Sequence, residues 1–549
     1  MIILSVIKIK RIILFLLILL AFYTRFAGLD WGLPYPFHPD ERNMALAVQQ
    51  LNCDSSDLRN CFNPRFFAYG QPPLYAAFLL TQAMKFFDGD LFTPVSFQEA
   101  AFALRLISAF ASVVGIWLMW KIVETVKDKK SGFYLSAGVG LLFIFSPALI
   151  QAAHFGTTES LLMMLFLIMN YLGLKFVSGK ISLGRFIFFS GLVGGLAVAT
   201  KISAVVFLAV PVYALAVKNK FYPLFKFALF TLFFFVIFSP HNLLSLNEFL
   251  GSMRYESAVA LGTEKVFYTR QFEQVLPVLF QLQKVFPYAL GLPVLLLFLA
   301  GFFTLPFNKR YNFLRFAFLI YFLPAAFLYA KWTRFMTPVM PLMIIFAVLT
   351  LFVILNSIED LLSKIRFRNK FGMTTIVIFI TLISITIIPG IAYLSIYQHP
   401  DVRVTTSRWI NENIPENSNI LSETANVVDI PVESKHSYQY TSFNFYDLDR
   451  EIELQNELTE RLSVANYIFV PSRRLFTNHD EKKYPKLNNY YRSLFSGELG
   501  FTKIVEFSSY PKITFLGKTL IEFPDERSEE TWTVFDHPVV RIYEKNNSL

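Results

Sequence analysis

Long apolar runs recur from the N-terminus to about residue 397, each bounded by charge, Pro or Gly and each near the length a helix needs to cross a bilayer. About eleven can be placed, at approximately 12–28, 102–122, 133–150, 158–176, 185–200, 202–217, 225–241, 286–306, 314–330, 336–356 and 373–397. Thr200 and Lys201 barely separate the fifth from the sixth. After Tyr397 the chain turns to Asn, Ser, Glu and Asp, broken by short apolar runs such as NYIFVP at 466–471 and VVRIYEK at 539–545. The pattern predicts a polytopic α-helical membrane domain over 1–397 and a soluble α/β domain over 398–549.

Two connections are too long for simple turns. The first, 30–101, contains PPLYAAFLLTQAMKFF at 72–87, which is slightly too short to span and reads as an interfacial or re-entrant helix. The second, 242–285, carries Met253, Tyr255, Tyr268 and Phe272 and suits a loop that covers a site; interfacial packing explains its aromatics equally well.

Charge supplies an orientation. Lys and Arg fall in alternate connections: Lys8, Lys10 and Arg11; Lys127, Lys129 and Lys130; Lys175, Lys180 and Arg185; Lys218, Lys220 and Lys226; Lys309, Arg310 and Arg315; and Lys364, Arg366, Arg368 and Lys370. The positive-inside rule makes these loops cytoplasmic, and an odd number of spans then puts everything after about residue 398 outside. Reading the first run as a cleaved signal peptide would reverse that parity, but AFYTRFAGLD at 21–30 lacks a small-residue cleavage pattern. The net charge of +10 is mostly this orientation signal, so nucleic acid is not an expected partner. Cys53 and Cys61 both lie in the first external connection, where an oxidising exterior allows a disulfide; two unpaired thiols are the alternative.

Carboxylates beside a membrane are costly unless solvated or paired, so external acidic residues at span ends are the first place to seek chemistry. Asp40 and Glu41, in FHPDER, are the clearest; the alternative is that Asp40 caps the helix suggested by ERNMALAVQQL. QAAHFGTTES adds His154 and Glu159, although Glu159 also suits a first helical turn. Lys201, in ATKISA, lies outside against the general bias, as a snorkelling residue or a phosphate contact. SPHNLL adds His241, and KWTRFMTPVMP adds Lys331 and Arg334. Five connections thus bring acids, histidines and bases to one face. Such a set suits transfer from a sugar phosphate: a carboxylate takes the acceptor's proton, cations hold a phosphate that leaves already charged, and no general acid is needed. A lipid carrier explains why the site lies at the interface.

FHPDE, YGQPPLY, RLISAFASVVG, HFGTTES, ATKISA and RFMTPVMP, in this order over most of 25–345, resemble the GT-C superfamily of membrane glycosyltransferases, in particular the family 39 group with protein O-mannosyltransferases and the lipid A aminoarabinose transferase. The resemblance implies an inverting, single-step transfer from a polyprenyl-phosphate sugar to a hydroxyl or amine of a lipid, glycan or protein acceptor. The site and C-terminal domain would face outward from a prokaryotic plasma membrane. It places the base at Asp40 with Glu41 adjoining, a second acidic role at Glu159, and donor-phosphate contacts at Lys201 and Arg334; Lys331 joins them by proximity alone. Some relatives hold a divalent metal ion and others need none; Asp40, Glu159, His154 and His241 are the candidate ligands. Phe335 stands where Tyr is commoner. SRWINENIPENSNI and EETWTVFDHPVVRIYEK resemble the tails of prokaryotic members, and the internal-loop domain of protein O-mannosyltransferases is lacking, which disfavours a protein hydroxyl acceptor. The rival readings are a membrane transporter or lipid-carrier flippase, and a scaffold anchored by its spans; paired inverted halves and acids at span centres, expected of a transporter, are not evident.

Overall fold

The structure is a computed structural model describing residues 2–53, 60–90, 92–127, 129–364, 371–424, 429–432 and 437–546; Arg366, Arg368 and Lys370 lie outside the described residues. Five helices are long and apolar enough to cross a membrane: Phe97–Val126, Glu159–Val177, Leu183–Thr200, Met340–Asp360 and Val377–Gln398. Two further spans are broken. Gly132–Ile144 and Pro147–His154 meet at 57°, and Gln281–Ala289 and Leu292–Thr304 at 117°. Ile12–Phe26, Ile202–Val217 and Leu224–Phe238 are shorter apolar helices.

The described residues therefore hold five to seven helical spans by length and composition, fewer than the eleven or so expected. Each broken span answers to one expected run: Pro147 cannot continue the hydrogen-bond ladder of the preceding helix, and Gly291 takes a left-handed φ of 86° between the halves of the second pair. The difference lies in the other runs. Those at 202–217 and 225–241 form shorter helices, the first is the apolar part Ile12–Phe26 of the helix Ile2–Phe26, and Lys309–Phe327 has 19 residues but carries Lys309, Arg310 and Arg315 near its start.

The site end of the bundle is built by close approaches. Phe97–Val126 starts at a capping box between Ser96 and Glu99. The run at 72–87 forms part of the helix Gln71–Asp88, and Gly70, just before it, donates its N–H to the Thr200 carbonyl at 2.9 Å. A Cβ on Gly70 would lie 1.6 Å from the Ala199 oxygen, so only glycine lets this loop dock on the end of Leu183–Thr200. Cys53 and Cys61 are disulfide-bonded.

The C-terminal domain holds a five-stranded sheet of β1 (Asn419–Glu423), β2 (Gln439–Phe443), β3 (Tyr467–Val470), β4 (Phe501–Phe507) and β7 (Val540–Lys545) in the order β2-β1-β3-β7-β4. β2, β1 and β3 run parallel, whereas β7 lies antiparallel to β3 and β4. The two apolar runs read as strands are thus neighbours. Alternation along them covers both faces: Ile420, Phe469 and Ile542 pack with Val402 and Ile410 on one side, and Leu421, Ile468 and Tyr543 with Leu487 and Leu494 on the other. β5 (Lys512–Phe515) and β6 (Lys518–Glu522) form a separate hairpin.

One piece of this domain leaves it. Trp532, Val534 and Phe535, between β6 and β7, belong to the hydrophobic core of the helical bundle. A buried polar clasp fixes them there. Asp536 accepts hydrogen bonds from Tyr393 at 2.9 Å, Tyr397 at 2.8 Å and Gln151 at 3.1 Å. His537 sits between Asp536 at 2.5 Å and Asp525 at 3.0 Å. Burial works against a charge on this imidazole, but Asp525 and Asp536 outweigh it and push its pKa up to about 10, so it remains a cation at neutral pH. Removing one partner strands the others. Asp536→Ala is expected to cost about 3–5 kcal/mol, read as a lower midpoint of thermal unfolding in detergent; an unchanged midpoint would mean that the segment is not clasped to the bundle.

Candidate active site

His38 caps the helix Pro39–Gln49: its side chain accepts the Glu41 N–H at 3.4 Å. The cap that was the alternative role for Asp40 is therefore supplied by His38, two residues earlier, and Asp40, in the first turn, has its carboxylate free to reach across the bundle. It pairs with Arg334 at 3.2 Å. Arg334 is carried on the short turn Thr333–Met336, its guanidinium 4.4 Å from the Trp332 ring. Trp332 in turn packs against Tyr268 and Phe272, so aromatics of the 242–285 segment support the site.

A second pair lies beside the first. Glu159 opens the helix Glu159–Val177 and faces Lys201 at 3.5 Å. Lys201 ends Leu183–Thr200 with an extended backbone, and its ammonium lies 4.6 Å from the Tyr69 ring and 5.5 Å from Phe335. Phe335, at the position where the resemblance leads one to expect Tyr, thus offers a ring face and no hydroxyl. Burial alone would raise the Asp40 carboxyl. Arg334, then His38, Lys201 and a hydrogen bond from Tyr69, outweigh burial and hold it below the usual aspartate range.

Around these pairs several buried polar atoms make no hydrogen bond: Glu159 Oε2, Arg334 Nε, Thr333 Oγ1 and Thr158 Oγ1. Buried groups of this kind normally find a partner, so a concentration of them marks a place for water or a ligand. A cavity of about 30 Å³ lies against His38, Glu159, Thr333, Arg334 and Phe535, room for one water.

The other expected site residues are engaged elsewhere. Glu41 is 1% exposed and makes a two-pronged pair with Arg105, at 2.7 and 2.9 Å, while accepting the Gly156 N–H. Arg105 also donates to the Leu29 and Trp31 carbonyls. Glu41 thus ties three segments together instead of adjoining Asp40 in the chemistry. His154 points both ring nitrogens at carbonyls, of Ile150 at 2.8 Å and Ala27 at 2.9 Å, and stacks on Tyr397 at 3.8 Å. His241 contacts the Cys61 carbonyl at 3.0 Å and links the disulfide loop to the bundle. Lys331 donates to the Leu328 and Tyr329 carbonyls, which close the preceding helix.

The candidate metal set of Asp40, Glu159, His154 and His241 is consequently not assembled, and among the described residues no three His, Cys, Asp or Glu side chains are grouped to hold a metal ion. Asp40 and Glu159 already face one cation each. The residues present do not fit a resident divalent ion.

Several participants were not singled out from the sequence. His38 and Tyr69 sit inside the motifs FHPDER and YGQPPLY, where a residue just before Pro39 is a plausible cap by position. Phe535 and Glu529 sit inside EETWTVFDHPVVRIYEK, a stretch whose resemblance to family tails does not point to the site. The Phe535 ring lies 4.6 Å from His38, which is held on its other side by Phe155 at 4.4 Å. Glu529 accepts the Thr333 N–H at 3.0 Å, next to Arg334. The inserted C-terminal segment therefore touches the supports of both members of the Asp40–Arg334 pair.

Residues 84–243 match the family described as dolichyl-phosphate-mannose-protein mannosyltransferase. The match covers under a third of the chain's 549 residues. No curated protein matches the chain. Among solved structures it is similar to the apo oligosaccharyltransferase of Archaeoglobus fulgidus, with 14% identity and a TM-score of 0.49 over 84% of this chain and 69% of that one. It is also similar to ArnT of Cupriavidus metallidurans: in the apo state, at 13% identity and a TM-score of 0.44 over 85% of this chain and 93% of that one. Bound to undecaprenyl phosphate, that protein matches at 13% identity and 0.41 over 96% and 97%. Nothing about chemistry rests on likenesses this distant.

Glu41 provides a test that separates folding from chemistry. Glu41→Gln leaves the Arg105 charge buried without a counterion, and a loss of about 3–5 kcal/mol is expected, seen as poor recovery of folded protein from detergent. Glu41→Met combined with Arg105→Met should recover much of it. A Glu41→Gln variant that is fully folded yet inactive would return Glu41 to the chemistry.

Proposed function

We propose that the chain is a membrane glycosyltransferase of the GT-C superfamily, moving a sugar from a polyprenyl-phosphate donor to a hydroxyl or amine acceptor, with inversion and with Asp40 as general base. The observation that carries this reading is the pair of carboxylate–cation contacts, Asp40–Arg334 and Glu159–Lys201, set among buried polar atoms without partners. The family description, which names a lipid-phosphate sugar, supports the donor class. So does an apolar groove of about 440 Å³ lined by Val198, Val205, Leu208, Val212, Phe227 and Phe235. Val198 and Val205 flank Lys201 in the chain, so a lipid tail in the groove leaves its phosphate near that ammonium.

In the reaction, the acceptor oxygen or nitrogen forms a bond to the anomeric carbon as the bond from that carbon to the phosphate oxygen breaks. The electron pair goes to the phosphate, which departs as an anion held by Arg334 and Lys201, and the acceptor's proton goes to Asp40. Arg serves here because its fork can bond two phosphate oxygens. Arg334 has two anions to serve. With the donor absent it lowers the pKa of Asp40; a phosphate drawing on the same guanidinium relaxes that hold and makes Asp40 a better base only once the donor is bound. Glu159 keeps Lys201 oriented. The reading needs no metal step. It places the site and the domain 398–549 on the outer face of a prokaryotic plasma membrane, as the distribution of Lys and Arg supports. The acceptor is a lipid, glycan or protein.

Two outcomes are expected. With a radiolabelled polyprenyl-phosphate sugar and a cell-envelope extract, Asp40→Asn should lose about 10²–10⁴-fold in kcat while still binding the donor; a folded variant that keeps full activity would remove Asp40 from the role of base. The pH profiles should differ as well. Asp40 is ionised above its depressed pKa, so the acid limb of kcat/KM, which reports the free enzyme, should lie below the ordinary aspartate range. The acid limb of kcat, which reports the donor complex, should lie higher. Coincident limbs would show that the donor does not draw Arg334 away from Asp40.

A further inference from the structure

The hairpin of β5 and β6 is the most exposed apolar feature of the C-terminal domain. Phe515 is 64% exposed, Leu516 87%, Leu520 63% and Ile521 43%. Soluble surfaces seldom gather side chains of this kind in one place. The turn itself adds to the anomaly. Leu516 and Gly517 both take positive φ, 48° and 77°, as the central residues of tight hairpins do. Asn, Asp or Gly suits the first of these positions, whereas a leucine there bears backbone strain and shows its side chain to solvent. Nothing within the described chain offsets either cost.

The position of the hairpin indicates what does. The Lys512 N–H donates to the Ser395 hydroxyl at 3.2 Å, and the Phe523 N–H closes on the Pro511 carbonyl at the hairpin's base. Ser395 belongs to the last turns of the spanning helix Val377–Gln398. Gln398, at the end of that helix, donates to the Tyr23 hydroxyl at 2.8 Å, so its end is level with the last turn of the first apolar helix, Ile12–Phe26. Two apolar helices thus reach the membrane boundary at about this level, and the hairpin hangs beside the last residues of one of them. Lys512 and Lys518 lie at opposite ends of the two strands. Long basic side chains beside exposed apolar ones can reach lipid phosphates while the apolar groups enter the acyl region.

We propose that the Lys512–Glu522 hairpin is a membrane-dipping anchor, whose tip at Phe515 and Leu516 inserts into the lipid leaflet beside the helix Val377–Gln398. The occupant of this apolar surface is lipid, because the surface continues that of a spanning helix. The anchor fixes the C-terminal domain at the bilayer beside its clasp, since Tyr393 and Tyr397, which bond Asp536, flank Ser395, so the domain is held both by the 525–537 segment and by lipid. The inference does not depend on the reaction proposed above.

The two native cysteines are bonded to each other, so a single introduced thiol can be spin-labelled in the full chain. With Leu516→Cys in nanodiscs of phosphatidylethanolamine and phosphatidylglycerol, the label should be open to oxygen and shielded from a water-soluble nickel chelate. Its oxygen-to-nickel accessibility ratio should be on the order of tenfold above that of Lys503→Cys, on the exposed β4. Equal ratios at the two positions would overturn the proposal. So would shielding from both reagents, which would instead indicate a second copy of the chain or another protein on the hairpin. If Leu516→Cys is not recovered folded, as judged by size exclusion, Phe515→Cys gives the same reading from the other side of the turn.

Discussion

A carboxylate at the end of a helical bundle and largely out of water must have a cation within reach, and Asp40 has Arg334. Much of the local architecture serves that contact. His38 takes over the helix cap and leaves the Asp40 side chain free. Trp332 lies against the guanidinium, and Glu529 holds the backbone just before Arg334. Lys201 and Glu159 repeat the arrangement alongside, so two negative and two positive groups share one small volume. The polar atoms left without partners in that volume are those a phosphate and an acceptor hydroxyl can satisfy.

Burying charge in this way requires a rigid surround, which comes from pairs the chemistry does not use. Glu41 and Arg105 join the helix of Asp40 to the long helix Phe97–Val126 and to the loop at Gly156. Asp401 and Arg403 form another fully buried pair; Arg403 also donates to the Phe535 carbonyl and lies over the Phe37 ring, adjacent to His38. Through these contacts the C-terminal domain is part of the frame of the site. Trp532, Val534 and Phe535 pack in the core of the bundle, so the two parts of the chain share one buried core.

Much of the architecture was legible in the chain. Runs of spanning length, the change in composition after Tyr397 and the strands at 466–471 and 539–545 are local properties, set by hydrophobic period and length. The residues of the two ion pairs, Asp40, Glu159, Lys201 and Arg334, were also legible, because charge at the ends of apolar runs is conspicuous in sequence. Glu41 shows the limit of that signal. It is as conspicuous as its neighbour, yet one residue along a helix turns a side chain by about 100°, and Glu41 meets Arg105 instead of the site. His154, His241 and Lys331 were likewise drawn in by residue type and position, and in the structure each serves a carbonyl.

By itself, then, the sequence determined the membrane class, the general run of the helices, the strand-containing C-terminal domain and the kinds of side chain available for chemistry, since each is encoded within a few turns of chain. Only the tertiary structure decided which acid meets which base, where helices break, and that Phe535 and Glu529 enter the bundle beside residues far away in sequence. Those outcomes depend on the packing of many elements at once: a buried charge selects its partner by distance and desolvation, and neither is written in the local pattern that reveals a helix or a strand.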